Sequence, residues 1–334
     1  MFAIKKSKDT DYLALSACIH VLEGRLLNRE RRERLIEARE DGDAIRILAE
    51  CGYPELSAFT PDGLEAMLAQ SQAELFRELS QRLPQREVLT LFQIREDYQN
   101  AKVLLKGAAR GADTGRLLVS GGRYAPQRLA EDFRDMTLAE YSPAFQEAVA
   151  AARELLATSH DPQRVDFLLD RACWEEMLRA AQLCGSPFLV GYVQRMIDAI
   201  NLRTAVRIRR NGQAAGLLEE ALLPGGTVSP DTLASPKAEE LAGLYRPAAL
   251  HAAAELGDGL LRGEGSMTAF ERACDNAVTD YVSAARRVPF GIETVVGYLH
   301  ARQTDITALR TIFSGRMAGL PREVIRERLR ESYG

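Results

Sequence analysis

The sequence predicts an all-α protein, and three observations carry that expectation. Ala, Leu, Arg and Glu, all strong helix formers, dominate the chain, while aromatic residues are only 7% of its 334 residues. Apolar residues recur at three- and four-residue spacing, as in Leu64, Leu68, Leu75 and Leu79, which fall on one stripe among Gln, Ser and Glu. No segment sustains the period-two alternation of Val, Ile and Thr that a half-buried strand would need.

Composition narrows the class further. The chain is 46% hydrophobic and 27% charged, ordinary for a water-facing globular protein. With 43 basic and 47 acidic residues its formal net charge is −4, which argues against a dedicated nucleic-acid binder. The opening residues, Met1 to Asp9, lack the apolar core of a secretory leader, and no run of about 18 apolar residues could span a bilayer. A cytoplasmic protein is expected, reaching a membrane only by docking on another protein. Cys18, Cys51, Cys173, Cys184 and Cys274 are scattered and odd in number, so reduced cysteines in helical packing are expected rather than a disulfide framework or a zinc site.

Along the chain, the mixed-sign run Arg29 to Arg34 reads as a solvated helix face. Asp97, Asn100, Lys102 and Lys106 then form the pattern Asp-x-x-Asn-x-Lys/Arg-x-x-x-Lys/Arg. It returns as Asp198, Asn201, Arg203 and Arg207, and more weakly as Asp305, Ala308 and Arg310, at intervals of about a hundred residues. A second pattern, Gly121-Gly122, Pro126, Leu129, Tyr141 and Pro143, returns as Gly225-Gly226, Pro230, Leu233, Tyr245 and Pro247. The same number of residues separates Gly122 from Tyr141 and Gly226 from Tyr245. Cys51-Gly52-Tyr53-Pro54 reads as a degraded tyrosine end, and Val190-Gly191-Tyr192 pairs with Val296-Gly297-Tyr298. Two patterns repeating with one period, in one order, imply three related helical subdomains: 1–110, 111–220 and 221–334. Joints are expected near Ala109–Arg116 and Gly212–Gly226, the glycine pairs ending one helix and the prolines opening the next.

Candidate chemistry is sparse. His20, His160, His251 and His300 lie far apart, and neither a phosphate-binding Gly-x-x-x-x-Gly-Lys-Ser/Thr loop nor a Gly-x-Ser-x-Gly elbow occurs. No catalytic residue, cofactor or metal is therefore expected. On a helix, Asp198 and Asn201 share one face and Arg203 and Arg207 another, roughly 170° away. Struts between helices and contacts to a partner both fit this layout, and repetition favours struts. Arg207, Arg209 and Arg210 form a basic tip suited to acidic protein loops. Tyr192 and Tyr298, at equivalent points early in long helices, are expected half-buried with the hydroxyl near solvent or a partner. The stretch Arg322 to Arg330 reads as a short charged helix, either a docking helix or a lid.

Several stretches resemble the C-subunit family of V-type (A/V-type) ATP synthases, which is similar to the d subunit of vacuolar ATPases. They are Gly291 to Leu299 with Asp305-Ile306, Leu309-Arg310 and Gly319-Leu320-Pro321; Val190-Gly191-Tyr192 with Ile197-Asp198 and Asn201-Leu202-Arg203; Leu222 to Gly226; and Asp97-x-x-Asn100. The resemblance covers nearly the whole chain and rests on the order and spacing of these motifs. It implies three homologous helical subdomains around a pseudo-threefold axis, shaped like a funnel. It also implies a rotor component without catalytic residues or cofactor, seated between the central stalk and the membrane proteolipid ring. Ala308 departs from the family's asparagine, and the third glycine turn is reduced to Gly319 and Pro321. The competing readings are a cytosolic helical-repeat scaffold unconnected to an ATPase and a metal-free helical enzyme without a recognisable motif.

Overall fold

A computed structural model describes residues 7–56, 58–212, 215–235, 240–246 and 249–333. Pro247, part of the second tyrosine turn, and residues 213–214 within the expected second joint lie outside them, as do Met1 to Lys6. Among the described residues every regular element is a helix. In chain order they are α1 (Leu13–Glu23), α2 (Arg29–Glu37), α3 (Asp41–Glu50), α4 (Pro61–Arg82), α5 (Glu87–Arg110), α6 (Pro126–Asp135), α7 (Pro143–Ser159), α8 (Pro162–Cys184), α9 (Pro187–Arg210), α10 (Ala215–Ala221), α11 (Pro230–Ala234), α12 (Leu241–Leu244), α13 (His251–Leu261), α14 (Met267–Ser283), α15 (Ile292–Met317) and α16 (Arg322–Arg328).

One local rule starts many of these helices. Thr60, Ser142, Asp161, Ser186 and Ser229 each accept a backbone N–H of the first turn through a side-chain oxygen, and a proline follows each directly. The cap satisfies a donor the helix leaves unpaired, and proline supplies the right φ where no N–H is needed. Helix α5 stops at Gly111 and α8 at Gly185, both in the left-handed conformation that glycine adopts cheaply.

The chain forms two compact units, Met1–Gln85 with Glu239–Gly334, and Arg86–Ala238. In the first, Leu35, Ile47, Leu48, Leu64, Met67 and Leu68 of α2, α3 and α4 close over Leu309, Ile312 and Phe313 of α15, with Ile325 of α16 sealing one side. In the second, α8 packs against α5, α7 and α9. Phe145 of α7 stacks on Tyr141 at 5.7 Å and meets Tyr98 of α5 edge-on at 5.2 Å.

These units and the sequence repeat partition the chain differently. The first cut falls before α5 rather than after it, because α5 packs on α8 and is bound to the loop that follows it. The glycine pairs also do other work than ending helices. Gly121 and Gly225 take positive φ, 99° and 96°, in loops past the helix ends, and each second glycine lies against an aspartate.

Candidate functional site

The two sequence patterns meet in space, and together they form one device. Asp97 on α5 is wholly buried, and its Oδ1 accepts the N–H of Tyr124 at 3.4 Å while Oδ2 receives Nε of Arg123 at 2.5 Å. Three residues on, Asn100 exchanges two hydrogen bonds with Val119: Oδ1 accepts its N–H at 2.8 Å and Nδ2 donates to its carbonyl at 2.9 Å. A Cβ on Gly122 would lie 2.2 Å from Asp97 Oδ1, so only glycine lets the loop come this close.

The second copy repeats the geometry. Asp198 Oδ1 accepts the N–H groups of Thr227 at 2.8 Å and Val228 at 3.3 Å. Asn201 exchanges two bonds of 2.8 Å with the backbone of Leu223. A Cβ on Gly226 would lie 2.3 Å from Asp198 Oδ1.

The third copy finds its partner near the other end of the chain. Asp305 on α15 accepts the N–H of Leu27 at 3.0 Å and the guanidinium of Arg32 at 3.1 Å. Leu27 directly precedes Asn28, the N-cap of α2. Tyr124 likewise precedes the N-cap of α6, and Val228 that of α11. In all three copies a buried aspartate on a long helix therefore grips the backbone one residue before the cap of a short helix. Ala308 cannot make the asparagine's contacts, and the carbonyls of Gly24 and Leu26 are taken instead by Arg31, at 2.8 and 2.6 Å.

Burial sets the electrostatics. It pushes the Asp97 carboxyl up to about 6, partly opposed by Arg123, and raises Asp198 and Asp305 for the same reason. Around Asp97 the compensation is extensive: Arg123 also reaches Glu176 of α8, which accepts from Tyr98 and Ser142. A carboxylate 0–2% exposed and occupied by such donors has no surface on which to meet a substrate.

The other residues singled out in the sequence lie apart from these grips. Lys102 and Lys106 extend from α5 to Asp170 and Asp166 of α8, at 2.6 and 2.9 Å. Arg310 forks onto Glu65 of α4 at 2.7 and 2.8 Å. Arg203 is half-buried, while Arg207 and Arg210 are exposed at the end of α9. Tyr192 and Tyr298 are not half-buried as expected. They are 1% and 4% exposed, Tyr192 stacking on Phe92 at 5.8 Å, because α9 and α15 are covered on nearly every face. Sequence reasoning missed Arg123, Glu176, Leu27 and Arg32. Arg123 follows the repeated glycine pair and could have been found, whereas Arg32 was read as part of a solvated run and is 4% exposed. None of the helices, among the described residues, is long and apolar enough to cross a membrane.

Among the described residues this is an all-helical chain in which one buried Asp-to-backbone grip recurs on three long helices. The model of the ATP synthase (C/AC39) subunit family matches residues 15–328, and the chain belongs to that family. It is similar to the C subunit of the V-type sodium ATPase of Enterococcus hirae, 23% identical over 97% of this chain and 99% of that one. The C subunit of the V-type ATP synthase of Thermus thermophilus is 26% identical over 95% and 98% of the two chains. The corresponding A-type protein of Haloferax volcanii is 25% identical over 80% and 81%.

Proposed function

We propose that this chain is a non-catalytic coupling component of a V/A-type rotary ATPase, set on the cytoplasmic side between the central stalk and the membrane proteolipid ring. The family match across residues 15–328 carries the reading. In this reading the chain comprises three helical subdomains, 1–110, 111–220 and 221–334, disposed about a pseudo-threefold axis as a funnel. The threefold recurrence of the aspartate grip supports it, since an internal fastener copied with each segment is what duplication would leave.

A torque-bearing part has to resist shear between its helices. Backbone groups fixed by buried carboxylates add directional restraint to the close-packed apolar contacts. A threefold body on a ring of many copies cannot match its symmetry, so the ring interface is polar and tolerant. Arg207 and Arg210, exposed at the basic end of α9, belong to that interface. The test is co-purification of the tagged chain with the proteolipid ring and the stalk proteins. Both should be retained, and Arg207→Glu with Arg210→Glu should weaken ring capture in a salt-sensitive way, most at low salt and less as salt screens the charges. Failure to retain either partner would leave the unconnected scaffold as the better account.

A further inference from the structure

A cavity of about 910 Å³ opens in the unit formed by the two ends of the chain. Its walls come from α2, α13, α14, α16 and the tail after α16. Five arginines line it: Arg29, Arg32, Arg272, Arg326 and Arg330. Glu33 and Glu331 are its acidic members, so the wall is net positive on a chain whose net charge is −4.

Part of this charge is already engaged. Arg326 pairs with Glu33, Glu37 and Glu323, and Arg330 with Asp275 at 2.6 Å. The remainder is held less closely, Arg29 acting on Glu33 only through space. Arg29 makes no hydrogen bond or ion pair among the described residues, and Arg272 has only the Glu327 carbonyl at 3.5 Å. Arg32 binds Asp305 and the Arg330 carbonyl, yet its buried Nε has no partner. Spare guanidinium donors from two helices thus converge on one space, and such donors match carboxylates in a planar, two-pronged fashion. One wall is aliphatic, with Leu256 42% exposed beside Ala269, Ala273 and Leu329. Among the described residues, no aromatic ring lines the cavity on which a nucleobase could stack.

We propose that this cavity is a docking site for an acidic segment of a partner polypeptide, its carboxylates meeting Arg29 and Arg272 and its aliphatic side chains lying on Leu256. The site stands independently of the rotary role, since it rests on this unit alone. Charge complementarity fixes the occupant, because the net positive wall calls for anions and the aliphatic wall for side chains that a bare anion lacks.

The test uses the purified full-length chain and fluorescence anisotropy with a labelled peptide of alternating Glu-Glu and Leu-Leu pairs. Parallel arms use its Lys-Lys and Leu-Leu counterpart, and inorganic pyrophosphate as competitor. The acidic peptide should bind at low salt, and Arg272→Glu and Arg29→Glu should each weaken it by about tenfold. Arg77→Glu, an exposed site on α4, should leave binding unchanged. Ala269→Glu places a carboxylate in the wall without removing an arginine and should weaken binding as well, which covers failure of the arginine variants to fold. Absence of binding, equal binding of the basic peptide, unchanged affinity in the variants, or full displacement by pyrophosphate would each overturn the proposal.

Discussion

Gly226→Ala tests the idea that the repeated glycine exists to let a loop reach a buried carboxylate. An added Cβ would lie 2.3 Å from Asp198 Oδ1 and 3.2 Å from Ile197 Cγ2. Ordinary non-bonded contact begins near 3.5 Å, so the loop must retreat by about 1 Å. The N–H bonds of Thr227 and Val228, now 2.8 and 3.3 Å, then pass beyond bonding distance. Hydrogen bonds to charged groups contribute about 1.5–3 kcal/mol each, and the Val228 bond is already long. The expected loss is about 3 kcal/mol, or about 6–12 °C in Tm for a unit of this size. Gly226 is not in the left-handed region, so backbone strain adds nothing to this figure. Gly216→Ala, where a Cβ meets open space, is the control and should be neutral or stabilising by less than about 1 kcal/mol. Thermal unfolding followed by far-UV circular dichroism gives the Tm, and hydrogen exchange at Thr227 and Val228 localises the effect. If Gly226→Ala melts with Gly216→Ala, close approach is not why the glycine is there.

Asn201→Asp replaces the amide donor to the Leu223 carbonyl with a carboxylate and should cost about 3 kcal/mol, measured by urea unfolding. Asp305→Ala leaves Arg32 buried without its counter-charge and should cost about 3–5 kcal/mol, whereas Arg32→Met combined with Asp305→Leu should recover most of that loss. His300, buried against Thr279, has its pKa lowered by burial from 6.5 to about 4. Its neutral form is favoured in the fold, so its stabilisation is complete above pH 6.5 and lost as pH falls towards 4. A shift of that size corresponds to about 3 kcal/mol. The stability of His300→Gln relative to the parent should therefore rise by up to that amount across the interval, and a pH-independent difference would refute the assignment.

What the sequence revealed, and what it hid, follows from the range of the interactions. Helices with a Ser, Thr or Asp cap and a proline next to it, and the stripe through Leu64, Leu68 and Leu79, are local and were legible. The repeats of Asp97 with Asn100 and of Gly121-Gly122 were also legible as patterns, but not as a single device, because nothing in a spacing says that a glycine faces an aspartate. The closure of Asp305 on Leu27 joins residues near opposite ends of the chain, with only the aspartate marked by the repeat. Arg32 shares its run with exposed charges, and period alone cannot tell which arginine of such a run turns inward. Tyr192 and Tyr298 misled for the opposite reason: on helices covered almost all round, the amphipathic contrast that marks a half-buried position disappears.

The third copy shows how one function can be divided between residues. In the first two, aspartate accepts a backbone N–H and asparagine pairs with the backbone ahead of it, so donors and acceptors of the loop are both fixed from the long helix. With Ala308 in the asparagine's place, only the acceptor remains on α15, and the donor comes from Arg31 on α2 itself. The loop ahead of α2 is then held by its own helix as much as by α15. Arg31→Met should accordingly cost about 2 kcal/mol, the scale of hydrogen bonds from a charged donor. It should also speed amide exchange at Leu26 and Leu27, although the Asp305 bond to Leu27 is untouched. Faster exchange at those amides together with lower stability would mark Arg31 as the replacement for the missing asparagine. Unchanged exchange would mean that Asp305 and Arg32 hold the loop without it.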